Sequence, residues 1–194
     1  MTRVLPLRAR PSQAQRTARV GMIVFVSGWT MMFGALLVTY LLLRQHAEAW
    51  PPSGLPALER SLPTIATCVL LASSASLQLG LTAIRGARAA ALRSYLVTTL
   101  LLGVGFLTLQ IISWVHMLHR GLVANGSLYA ACFYGLTAFH ALHVVVGLGG
   151  LASLWPRAAR GAFSAREHTA VASWTAYWHF VGAVWVIFFA TVYW

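Results

Sequence analysis

The sequence predicts an all-α integral membrane protein: a five-helix bundle with its N-terminus in the cytoplasm and its C-terminus outside. Three observations lead to this fold class. Hydrophobic residues make up 59% of the 194 residues and charged residues only 9%, whereas a soluble domain carries about 25% charged residues. Five apolar stretches are each long enough to cross a hydrocarbon core of about 30 Å as a helix. Arginines cluster in alternate loops, and such clusters set the direction of insertion. The composition excludes a soluble fold and also intrinsic disorder, which needs low hydrophobicity.

The predicted spans lie between charged or turn-forming residues. They cover residues 20–43, 62–84, 94–118, 128–154 and 169–194, and they form one transmembrane domain after a basic cytoplasmic tail of residues 1–19. The first span is too long for the apolar core of a signal peptide. Because the loops are short, sequential spans are expected to pack as antiparallel neighbours. The longest loop, residues 44–61, contains three prolines and a glycine and is expected to be irregular.

The charged residues determine the predicted topology. All 14 basic residues are Arg and all 3 acidic residues are Glu. Eleven arginines lie in the tail and in the loops after the second and fourth spans, and three lie in the other two loops. The positive-inside rule therefore places the tail in the cytoplasm. For the same reason the net charge of +11 indicates topology rather than nucleic-acid binding.

Histidines are the ionisable residues that lie within the spans. His140 and His143 are three residues apart in the fourth span, so they share a helix face. His179 lies near the middle of the fifth span. These side chains could bind a metal or haem iron, or they could hydrogen-bond to neighbouring helices. A metal site needs a carboxylate or carbonyl to orient each imidazole, and the spans contain no carboxylate, so the structural interpretation is favoured and no metal ligand is assigned.

Small residues and tryptophans predict how the helices pack. Ala72, Ser76 and Gly80 recur every four residues in the second span, and Gly147 and Gly150 lie close together in the fourth. Such residues let helix backbones approach closely in membranes. Four tryptophans lie deep in the spans, and a buried indole needs a hydrogen-bond acceptor. These four are Trp29, Trp114, Trp178 and Trp185.

Several segments resemble cytochrome c oxidase subunit III. Residues 177–185, Tyr-Trp-His-Phe-Val-Gly-Ala-Val-Trp, are similar to the family's Y-W-H-F-V-D-x-V-W signature. Residues 139–144, Phe-His-Ala-Leu-His-Val, followed by Gly147, resemble its F-H-x-x-H-V-x-x-G segment. Gly21-Met22, Thr30-Met31-Met32-Phe33 and Phe106-Leu107 with Gln110 and Trp114 also have counterparts. The resemblance covers residues 21–194 in the family's order and is similar to its short, five-helix bacterial form.

Four positions depart from the family pattern. The family usually has a carboxylate where this chain has Trp29, Ser113, Ala172 and Gly182. A carboxylate inside the bilayer costs free energy, so each replacement removes such a cost. The chain is therefore identified as a divergent member of the family, and the resemblance does not carry over any role in proton uptake that depends on those carboxylates.

The resemblance implies a non-catalytic subunit of a respiratory haem-copper oxidase in a bacterial inner membrane, either a cytochrome c or a quinol oxidase. It implies no active site of its own, no bound cofactor, and haem and copper in the partner subunits. Subunit I, and with it subunit II, would be the protein partners, and phospholipid would be held in a cleft. Tyr177, Trp178, His179 and Trp185, with His140 and His143, would line or brace that cleft or serve a structural role.

Two alternatives remain open at this point. A subunit-III-like accessory protein of a nitric oxide reductase would fit the missing carboxylates, because that complex need not pump protons. A haem- or metal-binding membrane redox protein would use the histidines directly.

Overall fold

The computed structural model describes residues 13–194, which form five α-helices. Within this part of the chain there is no β-strand. The helices are α1 (Gln13–His46), α2 (Ser61–Arg85), α3 (Ala89–His119), α4 (Leu128–Ala159) and α5 (Thr169–Val192). The predicted all-α, five-helix fold is confirmed.

Each helix is long and apolar enough to cross a membrane. Their lengths run from 24 to 34 residues, which at about 1.5 Å per residue exceeds the hydrocarbon thickness of about 30 Å. The protein is therefore a multi-pass membrane protein. The bilayer sets a minimum length for each helix but no maximum, and this explains why most helices extend beyond the predicted spans.

Three helix ends differ most from the prediction, by five to seven residues, and one of them is the start of α3 at Ala89 rather than at residue 94. Helix α1 begins at Gln13, so residues 13–19 of the predicted tail are helical, and the rest of that tail lies outside the described residues. Helix α4 continues through Pro156 to Ala159, five residues past the predicted end at residue 154. Hydropathy detects the apolar part of a helix and not its polar extension into the headgroup region, so these ends could not be read from apolarity.

Helices α2, α3, α4 and α5 form a closed four-helix ring, and α1 lies outside it against α5. The prediction that sequential spans are neighbours holds for the three pairs within the ring. It is wrong for α1 and α2, since α1 packs mainly on α5. The 14-residue connection between α1 and α2 is the longest in the described chain, and its length allows α1 to lie away from its sequence neighbour.

The connection between α1 and α2 folds against the bundle. The Trp50 indole nitrogen donates to the Tyr40 hydroxyl across 3.2 Å, and the Trp50 ring packs edge-on against Tyr129, with 5.1 Å between ring centroids. Leu55 and Leu58 pack against the core. The prediction that this loop is irregular is confirmed. Trp50 nevertheless holds the loop against α1 and α4.

Two arginines contact the C-terminal end of α5 and the residues that follow it. Arg44, in the last turn of α1, donates to the carbonyls of Thr191 (2.7 Å) and Trp194 (3.3 Å). The Arg60 guanidinium lies 4.1 Å from the centroid of the Trp194 ring. A helix C-terminus exposes unpaired carbonyls and partial negative charge, so a cation at this position stabilises α5 and ties it to α1.

Six exposed arginines lie at the opposite end of the bundle, which we call the basic end. They are Arg85, Arg88, Arg93, Arg157, Arg160 and Arg166. This end comprises the short connections from α2 to α3 and from α4 to α5, so the structure places the two arginine-rich loops on one side.

Candidate functional site at the centre of the bundle

The most chemically distinctive part of the structure is the interface between α2 and α5, where three side chains of α5 hydrogen-bond to hydroxyl and amide groups of α2. The Trp185 indole nitrogen donates to the Thr67 hydroxyl across 2.9 Å. The Trp178 indole nitrogen donates to the Ser73 hydroxyl across 3.0 Å. Both pairs are buried, and they run in an antiparallel register along the two helices. We call these two bonds and the adjacent His179 contacts the α2–α5 polar zipper.

His179 is bonded at both ring nitrogens. Its Nδ1 lies 2.5 Å from the Ser74 hydroxyl, and its Nε2 lies 3.1 Å from the Gln78 Oε1. Because an amide oxygen only accepts, Nε2 carries the proton and donates to Gln78. A neutral imidazole has one N–H, so Nδ1 accepts from Ser74. The bonds therefore run in one direction, from Ser74 through His179 to Gln78.

Trp178 occupies the centre of the four-helix ring. Its side chain is fully buried, and the ring lies between two glycines. A Cβ atom added at Gly147 of α4 would lie 2.8 Å from the Trp178 Cε3, and one added at Gly103 of α3 would lie 3.0 Å from its Cη2. With its bond to Ser73 on α2, this single indole contacts all three other helices of the ring.

His143 sits in an aromatic enclosure where α1 meets α4. Its ring centroid lies 4.1 Å from that of Trp29, 4.7 Å from that of Phe139 and 4.8 Å from that of Phe33. Its Nδ1 donates to the Phe139 carbonyl across 2.7 Å. The Tyr177 hydroxyl donates to the backbone carbonyl of His143 across 3.1 Å, so α5 also holds this turn of α4.

His140 is the other deeply buried histidine. Its ring packs against Trp185 of α5 and Phe106 of α3, with centroid distances of 5.1 and 5.9 Å. Neither ring nitrogen of His140 has a hydrogen-bond partner in the described chain, and the same is true of the His143 Nε2 and of the Gln110 amide. Within residues 13–194 there is no group of three or more side chains able to ligand a metal.

The small residues predicted to mediate packing occupy different environments. Gly80 and Ser76 face α3: a Cβ at Gly80 would lie 3.0 Å from the Tyr95 Cβ, and the Ser76 hydroxyl donates to the Tyr95 carbonyl across 3.3 Å. Gly147 faces Trp178, and Gly150 lies against the Trp174 ring. Ala72 is exposed and does not pack within the bundle.

The four positions that depart from the family pattern lie in different parts of the bundle. Trp29 contacts His143, as described above. Ser113 is buried on α3 and faces the Tyr193 hydroxyl together with Gln110. Ala172 is half-buried in the first turn of α5. Gly182 is buried, and a Cβ there would lie 4.0 Å from the Ser74 hydroxyl oxygen, beside the polar zipper.

Two apolar clefts flank α1. The first, of about 450 Å³, lies between α1 and α4, and the second, of about 280 Å³, lies between α1 and α5. Phe139 lines the first cleft, and Phe33 and Phe188 line the second. None of the six residues predicted to line or brace a lipid cleft lines either of these two clefts; they are His140, His143, Tyr177, Trp178, His179 and Trp185. His140 and His143 lie behind the phenylalanines, in ring contact with them.

Sequence reasoning missed the partners on α2 and α3. Thr67, Ser73 and Ser74 accept or donate in the polar zipper, and Gly103 provides one side of the Trp178 site. A signal existed: the acceptors Thr67 and Ser73 are six residues apart and the donors Trp178 and Trp185 are seven apart, and both spacings are close to two helical turns. Such matched spacing on two helices is typical of a pair that bonds along its length.

The sequence pattern that describes the family "Cytochrome c oxidase subunit III" matches residues 9–194. The chain belongs to the cytochrome c oxidase subunit III family. Its segments in α4 and α5 that resemble the subunit III motifs are the ones that form the central site.

Individual members of the family are similar over most of the chain. Cytochrome c oxidase subunit 3 of Synechocystis sp. is 38% identical over 89% of this chain and 73% of its own length. The protein of the same name from Thermostichus vulcanus is 38% identical, over 90% of this chain and 85% of its own. A probable cytochrome c oxidase subunit 3 from Nocardia farcinica is 36% identical, over 90% and 86% respectively.

Proposed function

We propose that the chain is the non-catalytic subunit III of a bacterial respiratory haem-copper oxidase. The observation that carries this proposal is the family match over residues 9–194, together with a structure whose five spanning helices place the family's α4 and α5 segments in one packed centre. The buried side chains of this centre bond to one another and to neighbouring helices, an arrangement that holds helices in position.

The proposed role toward the partners is mechanical. Haem and copper would reside in the catalytic subunit I, with subunit II as a further partner, and this chain would stabilise subunit I during turnover. The α2–α5 polar zipper and the Trp178 contacts support this role, because they fix four helices relative to one another and so maintain one docking surface.

The decisive experiment is a pull-down of the tagged protein from native membranes in mild detergent, with the co-purifying chains identified by mass spectrometry. We expect a haem-copper catalytic subunit at near-equal stoichiometry and a haem spectrum that belongs to the complex. Recovery of the chain alone or with copies of itself would refute the proposal, and recovery with nitric oxide reductase subunits would replace it.

We also propose that the clefts beside α1 hold phospholipid acyl chains. The linings of the two clefts are almost entirely apolar, and each cleft lies between two membrane-spanning helices. Gly135 lines the first cleft and has open space beside its Cα, so Gly135→Phe should narrow it. The expected result is fewer co-purified phospholipids per complex, while the control Gly149→Phe, also at an open glycine of α4 but outside that cleft, should retain them.

The basic end is proposed to face the cytoplasm of the inner membrane. Its six exposed arginines follow the positive-inside rule. Single cysteines at Ala162 and Asn125, in a background without Cys68 and Cys132, would report the two ends. A membrane-impermeant maleimide added to intact cells should label the position at Asn125 and not that at Ala162, and the reverse pattern would invert the topology.

A further inference from the structure

Helix α1 is held firmly at only one of its ends. It runs from Gln13 to His46, and the buried side chains among those described are Phe33 and Tyr40, both in its second half. That half is also hydrogen-bonded to other parts of the protein, since Arg44 donates to two carbonyls at the end of α5 and Tyr40 accepts from the connection between α1 and α2. The end of α1 that lies away from the basic end is therefore fixed.

The first half of α1 has weaker contacts. We call residues 13–27, which lie at the basic end, the α1 arm. None of the described side chains of the arm hydrogen-bonds to another helix. Met22 and Val26 are partly buried against the core. The Phe25 ring lies 5.8 Å from that of Tyr177, between centroids, and remains 41% exposed. A segment with so few buried contacts separates from its neighbours at a low cost in free energy.

Two features weaken the helix where the arm joins the rest of α1. Ser27 and Gly28 are adjacent, and sharp bends in helices occur at Gly/Ser pairs. A Cβ added at Gly28 would have nothing within 4 Å, so packing does not require a glycine there. The Thr30 hydroxyl donates to the Val26 carbonyl across 2.8 Å, and such a bond to the preceding turn favours bending. We call residues 26–30 the hinge turn.

The Thr30 bond also makes a bend tolerable within lipid. Bending at the hinge turn lengthens the backbone hydrogen bond from the Thr30 N–H to the Val26 carbonyl. A carbonyl without a partner in hydrocarbon is costly, and Ser or Thr side chains compensate for such losses in membrane helices. Because the Thr30 hydroxyl already bonds to the Val26 carbonyl, this acceptor stays satisfied when the helix bends. The arm therefore moves as an intact helix.

We infer that the α1 arm opens about the hinge turn, away from α5, while the rest of α1 stays in place. Trp29 marks the boundary, because its ring is held 4.1 Å from that of His143, between centroids. Phe25, one turn earlier, separates from Tyr177. The Tyr177 ring is fully buried when the arm is closed, and opening exposes it to the surrounding lipid. The arm is then a lateral entrance to the turn of α4 that the Tyr177 hydroxyl holds.

The size of the movement follows from the length of the arm. Thr17 lies eleven residues before Gly28, about 16 Å along the helix. A bend of about 20° at the hinge turn would displace Thr17 by about 6 Å. A shift of this size is resolved by electron-spin distance measurements.

Spin-label distances in the whole chain, held in lipid nanodiscs without other cysteines, test the opening. One pair of labels joins Thr17 to Val97, an exposed residue of α3, which lies across the ring from α5. The control pair joins Val38 to Ile112, exposed residues beyond the hinge turn. We expect two distances, about 6 Å apart, for the first pair and one for the control. A single distance for both pairs would overturn the inference, and two distances for both would show that α1 moves without a hinge.

Substitution tests the hinge turn itself. Gly28→Ala should reduce the population with the longer distance about fivefold, the factor expected when alanine replaces glycine within a helix. Gly34→Ala is the matched control, since Gly34 is also exposed with nothing within 4 Å of an added Cβ but lies in the fixed half. It should leave both populations unchanged. Equal effects of the two substitutions would refute a hinge at Gly28.

Labelling with a lipid-soluble diazirine tests the exposure of Tyr177. On irradiation in nanodiscs, we expect the carbene to modify Tyr177 more strongly than Trp178, the next residue, which is equally buried but lies at the centre of the ring. Gly28→Ala should lower the modification of Tyr177 and not that of Trp178. Equal modification of the two residues in the parent chain would show that no opening reaches Tyr177. Because each measurement uses this chain alone, its result does not depend on the complex that the chain joins.

Discussion

The two glycines around Trp178 give the sharpest prediction. A Cβ at Gly147 would lie 2.8 and 2.9 Å from Trp178 Cε3 and Cζ3, whereas carbon atoms are most stable at about 3.5–4.0 Å. To accommodate Gly147→Ala, the indole would have to retreat by about 0.7 Å or more. Its retreat is restricted, because the Trp178 side chain is fully buried and its indole nitrogen is bonded to the Ser73 hydroxyl.

The magnitude follows from two opposing effects. Replacing glycine by alanine within a helix stabilises it by about 1 kcal/mol, and overpacking a closed site costs about 1–3 kcal/mol. Gly147→Ala should therefore lower the free energy of unfolding by up to about 2 kcal/mol. Gly149→Ala, two residues along the same helix with nothing within 4 Å of its added Cβ, receives only the favourable effect.

The assay is thermal unfolding of the isolated chain in detergent, followed by size-exclusion chromatography with fluorescence detection. We expect Gly149→Ala to melt at or above the parent temperature and Gly147→Ala to melt below it. In a double-mutant cycle, Trp178→Phe should reduce the penalty of Gly147→Ala, because the smaller ring leaves space. Equal melting temperatures for the two glycine variants would show that Trp178 is not confined as the structure describes.

Three further outcomes are expected. Thr67→Val removes the acceptor of the Trp185 indole and should cost about 0.6 kcal/mol of unfolding free energy, with an upper bound of about 1.7; an unchanged chemical-denaturation midpoint would contradict the bond. Gln110→Leu should leave stability unchanged or raise it, since a buried amide without a partner costs about 1–3 kcal/mol; a fall in melting temperature would show that the amide bonds to the Tyr193 hydroxyl that it faces. Arg44→Gln should free the end of α5, so digestion by carboxypeptidase should accelerate at Trp194 while Arg120→Gln, at the exposed end of α3, leaves the rate unchanged.

The sequence was sufficient for the number and type of helices because one physical quantity determines both. Hydrocarbon of about 30 Å demands about 20 apolar residues, and that requirement is visible in composition alone. The same quantity says nothing about which helices touch. The position of α1 against α5 depends on aromatic contacts such as Phe25 with Tyr177, which link residues more than 150 positions apart.

The small-residue stripe of α2 shows a second limit. Residues four apart on a helix are rotated by about 40° relative to each other, so Ala72 and Gly80 differ by about 80° in direction. Gly80 and Ser76 face Tyr95, and Ala72 has turned out of the interface. Small residues spaced four apart on a helix therefore predict close packing for about two consecutive residues of the series. Which two residues pack depends on the position of the neighbouring helix.

Only the aromatic and histidine residues of the central site could be predicted from the sequence, and their hydrogen-bond acceptors could not. The tryptophans and histidines of α4 and α5 stand out because such residues are unusual within a span, and the indoles were expected to need acceptors. Three of the four deep tryptophans have them, with Trp114 donating to Thr137 across 3.0 Å. The acceptors themselves are serines and threonines, which occur throughout the spans, and only the antiparallel register of α2 and α5 identifies the ones that bond.

The packing of α1 on α5 has a consequence for biosynthesis. Helix α1 leaves the ribosome before its main partner α5 has been made, and at about 5–20 residues per second the intervening chain takes on the order of ten seconds to synthesise. During that interval α1 lacks its main partner while α2, α3 and α4 assemble beside it. The closure of α1 onto α5 is then a late step of folding, and a ribosome stalled before α5 would leave α1 without its main partner and open to quality-control proteases or to premature partners.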